Sequence, residues 1–252
     1  MKPMLAKTYG YQDVKGWFMS EKLDGVRAIW TGNTLISRNG NEFKAPKWFL
    51  EHLPQDTVLD GELFMGRSMF QKTVGVVRKQ TPVDSEWKQI RYCVFDAPQA
   101  KGVFEQRMAC VRKILADNPV ADVVEHEVCM GVEYLEQFSV NLLAAGAEGV
   151  MLRRPGSAYE GKRSDALLKY KPQETDEAKV IGFQDGEGRH VGRVGALICS
   201  WKGIIFKLGT GLSDAIRETP PAIGDLVTFD FQGLTDGGIP RFPVFVAARN
   251  YE

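Results

Sequence analysis

Metal-ligand and disulfide chemistry find little to work with in this sequence. Its 252 residues include four cysteines (Cys93, Cys110, Cys129, Cys199) and three histidines (His52, His126, His190), scattered and without a Cys-x-x-Cys pair. A structural zinc site and a disulfide framework are therefore not expected, and reduced thiols are the default. No apolar run approaches the ~20 residues that a membrane span needs. The opening residues Met1-Lys2-Pro3-Met4-Leu5-Ala6-Lys7 lack the apolar core of a secretory signal, so a cytoplasmic protein is expected, or a periplasmic one if a signal has been removed. Charge of one sign is not in excess either: 32 basic residues balance 32 acidic ones. That counts against a protein whose only task is to coat nucleic acid, but leaves room for a local basic face. Repeats and low-complexity tracts are absent.

What is present is an ordinary globular composition, 44% apolar and 25% charged, long enough for a large core or two smaller ones. Over the first two thirds, strand-like and helix-like segments alternate. The apolar pattern predicts strands at 17–21, 26–30, 35–38, 58–64, 90–96, 123–127, 149–153 and 167–171, and helices at 69–78, 104–116 and 132–145. The polar run 172–177 reads as a linker. Behind it, strands at 178–183, 196–201, 204–208, 226–232 and 242–248, with a short helix near 213–217, fit a small, partly open barrel of the OB type.

Lys22-Leu23-Asp24-Gly25-Val26-Arg27 sets one lysine between two short apolar runs, with a glycine turn and a second cation close behind. A lysine so placed can be partly buried, and burial near other cations makes it shed its proton more easily. The neutral amine is a nucleophile, with phosphorus as a target where phosphate-binding groups surround it. Moving a lysine from about 10.4 to neutrality near pH 7 takes about 4–5 kcal/mol. Further along, Asp60-Gly61-Glu62 and Phe95-Asp96 end apolar runs, Glu148-Gly149 opens one, and Lys169-Tyr170-Lys171 closes one. Strand alternation puts Lys169 and Lys171 on one face and Tyr170 on the other; two cations beside a reactive lysine suit an anionic ligand such as phosphate. Singly, each segment has a plain reading: a solvated turn at 22–27, turn carboxylates at Asp60 and Glu62, a core ring at Phe95, an exposed strand face at Lys169 and Lys171, an acidic loop residue at Glu148. The combination is far more specific than any member.

In chain order, these segments resemble the motif series of the covalent nucleotidyltransferases and, within them, the minimal ATP-dependent DNA ligases. The matching stretches are Glu21-Lys22-Leu23-Asp24-Gly25-Val26-Arg27, Ser37-Arg38-Asn39-Gly40, Leu59-Asp60-Gly61-Glu62-Leu63, Tyr92-Cys93-Val94-Phe95-Asp96, Glu148-Gly149-Val150-Met151 and Leu167-Leu168-Lys169-Tyr170-Lys171. Asp176-Glu177-Ala178, Phe206-Lys207-Leu208-Gly209-Thr210-Gly211 and Pro240-Arg241-Phe242-Pro243 extend the match into the last third, so that it runs from Met4 to Arg249. It implies an α+β chain of two domains: an adenylation domain at 1–173, of the ATP-grasp-like ligase kind with antiparallel sheets and flanking helices, and an OB-fold β-barrel at 174–252.

The same resemblance implies the roles. Lys22 attacks the α-phosphorus of ATP and leaves a lysyl-AMP phosphoramidate. Asp24 assists, and Lys169 and Lys171 neutralise the α-phosphate. Glu62 accepts a ribose hydroxyl, Arg27 reaches the ribose or a nearby phosphate, Phe95 stacks on adenine, and Glu21 and Leu23 complete the nucleotide contacts. Glu148, with Asp60 as a second candidate, attends a divalent cation, Mg2+ or Mn2+. Arg38 grips the 5′-phosphate of a nick in duplex DNA, with Arg67, Lys207 and Arg241 as further DNA contacts; Lys44, Lys47, Lys72, Arg78, Lys79, Arg193 and Lys202 are weaker candidates. A monomer acting on nicked DNA, with no membrane contact, is expected.

One departure stands out. The family commonly ends its barrel with an Arg-x-Asp-Lys element that orients pyrophosphate, and here the chain reads Arg249-Asn250-Tyr251-Glu252. An mRNA-capping guanylyltransferase, which would label with GTP, an RNA ligase, and a non-catalytic OB-fold nucleic-acid-binding module are the competing readings. The full set of Lys22, Glu62, Glu148, Lys169 and Lys171 argues against the last.

Overall fold

The chain divides into two units, 1–171 and 172–252; the computed structural model describes residues 2–171, 174–231, 233–235 and 237–249. In chain order the first unit carries Leu5–Thr8 (β1), Phe18–Glu21 (β2), Val26–Trp30 (β3), Leu35–Ser37 (β4), Lys47–Glu51 (α1), Leu59–Phe64 (β5), Phe70–Val77 (α2), Asp84–Trp87 (α3), Arg91–Asp96 (β6), Phe104–Ile114 (α4), Ala121–Val123 (β7), Glu127–Val128 (β8), Val132–Ala144 (α5), Val150–Arg153 (β9) and Arg163–Tyr170 (β10). They build two five-stranded sheets, ordered β1-β10-β9-β2-β8 and β4-β3-β5-β6-β7. Pairing is antiparallel, as expected, apart from two parallel edge pairs, β1 with β10 and β6 with β7. The predicted strand at 123–127 is in fact two. β7 adds to the edge of one sheet, the chain then crosses over, and β8 pairs with β2 in the other.

Each sheet has its own core. In the sheet carrying β3, β5 and β6, Trp30, Leu35, Leu63, Tyr92 and Val94 are buried against Phe49, Trp87, Phe104, Met108 and Val111. Burying side chains of this size is worth about 1.5–3 kcal/mol each. The Tyr92 hydroxyl sits in that core and is satisfied, donating toward the Ala28 and Leu59 carbonyls at 3.0 Å and accepting from Trp30 N at 3.2 Å. Helix α4 starts where the Gln106 side chain accepts from Val103 N at 3.0 Å, half of a capping box. Its inward face includes Arg107 as well as apolar residues. In the other sheet, Met19, Val150, Leu152 and Leu168 pack on Leu135 of α5.

Among its described residues the second unit carries Glu174–Asp185 (β11), Val194–Trp201 (β12), Ile204–Leu208 (β13), Asp214–Glu218 (α6), Leu226–Phe231 (β14) and Val244–Arg249 (β15), with a 3-10 turn at Gly188–His190. The strands form one sheet, β13-β12-β11-β14-β15. Its two edges meet at one parallel bridge, Thr210 with Val244, where Phe245 N donates to Thr210 O at 2.8 Å. It is therefore a partly open barrel and not a closed one. Val180, Leu197, Phe206, Leu208, Phe229 and Phe231 fill it.

The expected linker at 172–177 is corrected. Pro172 and Gln173 lie outside the described residues, but Glu174–Glu177 already belong to β11 and pair in register with Thr228–Phe231. Backbone hydrogen bonds hold those four residues in the sheet, and their outward side chains stay polar. No helix among the described residues is long and apolar enough to cross a membrane.

Candidate active site

Register assembles the phosphate half of the site. Across β2, β9 and β10, Glu21 pairs with Val150 and Val150 with Tyr170. The next positions beyond that row are Lys22, Gly149 and Lys171. Lys22 N donates to Gly149 O at 2.8 Å, which pins the lysine against the segment that opens β9. Gly149 has φ +153, and a Cβ there would collide with the Tyr170 carbonyl, so the tight approach requires glycine. The Glu148 carboxylate lies between Lys22 Nζ and Lys171 Nζ and pairs with both. Sequence reasoning had placed cations around Lys22; the structure adds their shared counter-charge. Tyr170 turns to the opposite face and packs edge-on against Tyr9 at 5.6 Å, as the alternation required.

The second half comes from the other sheet. Arg27 of β3 lies directly opposite Glu62 of β5, and Glu62 opposite Cys93 of β6. Gly25, just before β3, permits this closeness, because a Cβ there would stand 2.8 Å from Glu62 Cγ. The Arg27 guanidinium lies 5.4 Å from the Phe95 ring centroid. It also grips Asp60 with two bonds, Nε to Oδ1 at 2.9 Å and Nη2 to Oδ2 at 2.5 Å. Burial pushes the Glu62 carboxyl up to about 8, against the pull of Lys22 and Arg27.

One cavity of about 300 Å³ takes in both halves, with Glu21, Lys22, Leu23, Arg27, Glu62, Phe95 and Lys169 in its walls. Burial, then the charges of Lys22 and Arg163, lower the Lys169 pKa from its ordinary value. Arg38 also lines the cavity, at an exposed position. Sequence reasoning missed His126, Arg153 and Arg163, which line it too. Burial, then Arg153, pushes the His126 pKa down to about 4, so its imidazole is neutral at pH 7. No local motif marks these three; only the strand order brings them here.

Several expected residues are placed differently. Asp60, the second metal candidate, is fully buried, and both its oxygens are taken by Arg27 and by Tyr159, whose hydroxyl donates at 2.7 Å. Asp24 sits in the turn before β3 and does not line the cavity, although its charge helps raise Glu62. Lys171 does not line the cavity; it pairs with Glu148, which also pairs with Lys22. Arg67 binds Glu21 with Nε and Nη2 at 2.9 and 2.8 Å, and the Ala145 carbonyl at 3.2 Å. In the second unit Lys207 is exposed on β13, and the Arg241 guanidinium lies 5.8 Å from the Phe242 ring. Arg249 is held by Thr228 at 2.9 Å and Glu177 at 3.1 Å, while Asn250-Tyr251-Glu252 lie outside the described residues. Of the weaker cations, Lys44, Lys47, Lys79, Arg193 and Lys202 are paired with carboxylates. Among the described residues, no group of three or more His, Cys, Asp or Glu side chains is arranged to hold a metal ion.

Comparison with known proteins gives the same outline. A family model described as an ATP dependent DNA ligase domain matches residues 3–171, and one described as a DNA ligase OB-like domain matches 185–249. A DNA ligase of Haemophilus influenzae is 36% identical over 244 residues, covering 96% of this chain and 90% of the relative. A solved structure of a Lig E DNA ligase superposes with a TM-score of 0.90 at 37% identity, covering 99% of both chains. The Chlorella virus DNA ligase-adenylate, at 24% identity and a TM-score of 0.56, is alike in fold.

Proposed function

This chain belongs to the ATP-dependent DNA ligases, and from that premise we propose how its own residues divide the sealing of a 5′-phosphate/3′-hydroxyl nick in duplex DNA. ATP enters the cavity with its base against Phe95, its ribose on Glu62 and Arg27, and its α-phosphate between Lys22 and Lys169. Until then, Glu148 serves as counter-ion to Lys22 and Lys171. The α-phosphate takes over that role for Lys171, Lys22 gives up its ammonium proton to solvent beside the neighbouring cations, and the neutral Lys22 amine attacks the α-phosphorus. A P–N bond forms, the bond to pyrophosphate breaks, and pyrophosphate leaves with the electron pair. The adenylate then passes to the 5′-phosphate at the nick, a contact assigned to Arg38, which is exposed at the cavity. Attack by the 3′-hydroxyl on that phosphate expels AMP and closes the strand. Charge neutralisation and positioning, more than covalent help, are what such transfers need.

Both Glu148 oxygens are held by Lys22 and Lys171; once the α-phosphate draws those lysines away, Glu148 would serve a divalent cation as a single oxygen ligand, with the nucleotide's own phosphates and water filling the other positions. Asp60 does not fit, because Arg27 and Tyr159 already satisfy it. Mg2+ or Mn2+ held there would add positive charge where negative charge builds on the phosphates. Lys207 and Arg241 are assigned to the DNA backbone, and the enzyme is read as a monomer.

The observation that carries this reading is the single cavity into which Lys22, Arg27, Glu62, Phe95 and Lys169 converge from two different sheets. The test is a nick-joining assay with ATP, GTP and NAD offered separately. Joining with ATP alone is the expected result. Labelling of the protein by GTP alone would support a capping guanylyltransferase in its place.

A further inference from the structure

Tyr159 belongs to none of the segments that pointed to the site. It lies in the connection between β9 and β10, the strands that carry the phosphate half, yet its hydroxyl donates to Asp60 Oδ2 on β5 at 2.7 Å. The same hydroxyl accepts from Met4 N at 3.0 Å, next to β1, which is the edge strand paired with β10. Asp60 in turn holds Arg27 with two bonds, and Arg27 lies over Phe95. One side chain thus ties the sheet that presents Lys22, Glu148 and Lys169 to the sheet that presents Arg27, Glu62 and Phe95. Burial raises the Tyr159 pKa, so the phenol keeps its proton and remains a donor to the buried carboxylate.

We propose that Tyr159 is a positioning residue for ATP: through Asp60 it fixes the distance between the nucleoside half and the phosphate half of the cavity. The proposal rests on the placement of ATP given above. A ligand confined to one half does not depend on that distance, whereas a ligand that spans both does. The effect of losing the hydroxyl should therefore appear only in the spanning ligand, which distinguishes positioning from general damage to the cavity.

The experiment compares wild type with Tyr159→Phe. Three ligands are used: α,β-methylene-ATP, which spans both halves and cannot react; adenosine; and tripolyphosphate. Binding is measured by titration calorimetry or by competition against labelled ATP in the adenylylation reaction. Tyr159→Phe should weaken the spanning analogue by ~10-fold, the size of one lost buried hydrogen bond, and leave adenosine and tripolyphosphate within ~2-fold of wild type. Asp60→Asn, which releases Arg27 from its counter-charge, should weaken adenosine as well. Should Tyr159→Phe weaken all three ligands equally, or none, the positioning role is overturned. Should wild type bind the spanning analogue no better than its separate parts, the ATP placement itself fails. If Tyr159→Phe folds poorly, Tyr159→His, which keeps a ring and a donor, should recover the affinity for the spanning analogue over Tyr159→Ala.

Discussion

Asp96 is the minority charge in a buried cluster, and replacing it should be the most damaging single change in the first unit outside the cavity. Its oxygens accept from Arg107 Nε at 2.6 Å and Nη2 at 3.1 Å, and lie 3.2 Å from Arg153 Nη2. The side chains of Asp96, Arg107 and Arg153 are 0, 1 and 5% exposed. One anion therefore serves two cations that are almost wholly buried, although Arg153 also borders the cavity. Asp96→Asn keeps the shape and removes the charge, leaving both guanidinium groups without a counter-ion. Breaking such a pair from one side costs ~3–5 kcal/mol, a large share of the ~5–15 kcal/mol that a domain commonly has. Arg107→Met should cost less, ~1–3 kcal/mol, because it loses its bonds to Asp96 and to the Gly102 and Ser157 carbonyls while Asp96 keeps Arg153 as a counter-ion. Urea unfolding followed by tryptophan fluorescence reads this directly, since Trp17, Trp30, Trp48 and Trp87 all lie in the first unit. With a slope of ~1–3 kcal/mol per molar, the Asp96→Asn midpoint should fall by ~1–5 M. If Arg107→Met were as damaging as Asp96→Asn, or more so, the minority-charge reasoning would be wrong.

Lys169→Ala should slow enzyme adenylylation by ~10²–10³-fold, as loss of one preorganised cationic or donor group does elsewhere, measured by single-turnover labelling with ATP. Arg38→Ala should leave that labelling intact and impair joining to a nick; equal loss of both would remove Arg38 from the 5′-phosphate. Glu62 titrates near 8 in the folded protein against 4.5 ordinarily. The folded chain holds a proton there that the unfolded chain has given up, so this contribution to stability falls as pH rises from about 4.5 through 8. ATP binding should strengthen over the upper part of that range as the carboxylate becomes able to accept the ribose hydroxyl. Glu62→Gln should flatten both trends, and a wild-type profile without either would refute the assignment. Arg67→Ala should leave the salt dependence of DNA binding unchanged, because Glu21 and Ala145 already occupy its guanidinium; a reduced slope would restore it as a phosphate contact.

What could be read in the sequence was whatever is local. The strand at 26–30 and the alternation that turns Tyr170 away from Lys169 depend on neighbours in the chain, and the structure places them as read. Contacts set by register were hidden. Lys22 and Glu148 are 126 residues apart, and only the pairing of β2 with β9 joins them. The buried face of Asp60 looked like an open turn because its partners, Arg27 and Tyr159, stand 33 and 99 residues away. Strand β11 was misread at its start for a related reason. Its first residues carry polar side chains and are held by backbone pairing and by polar partners far along the chain, and burial begins only at Ala178. The short elements β1, α1 and α3 carry too few residues for any periodicity to show.

Nick sealing by this chain turns on which nitrogen carries adenylate. Incubation of the protein with labelled ATP and a divalent cation, followed by proteolysis and mass spectrometry, identifies it. The adduct should be acid-labile, should map to Lys22, and should vanish in Lys22→Ala. Adenylate on any other residue, or undiminished labelling of Lys22→Ala, would contradict the assignment of the cavity as the site of transfer.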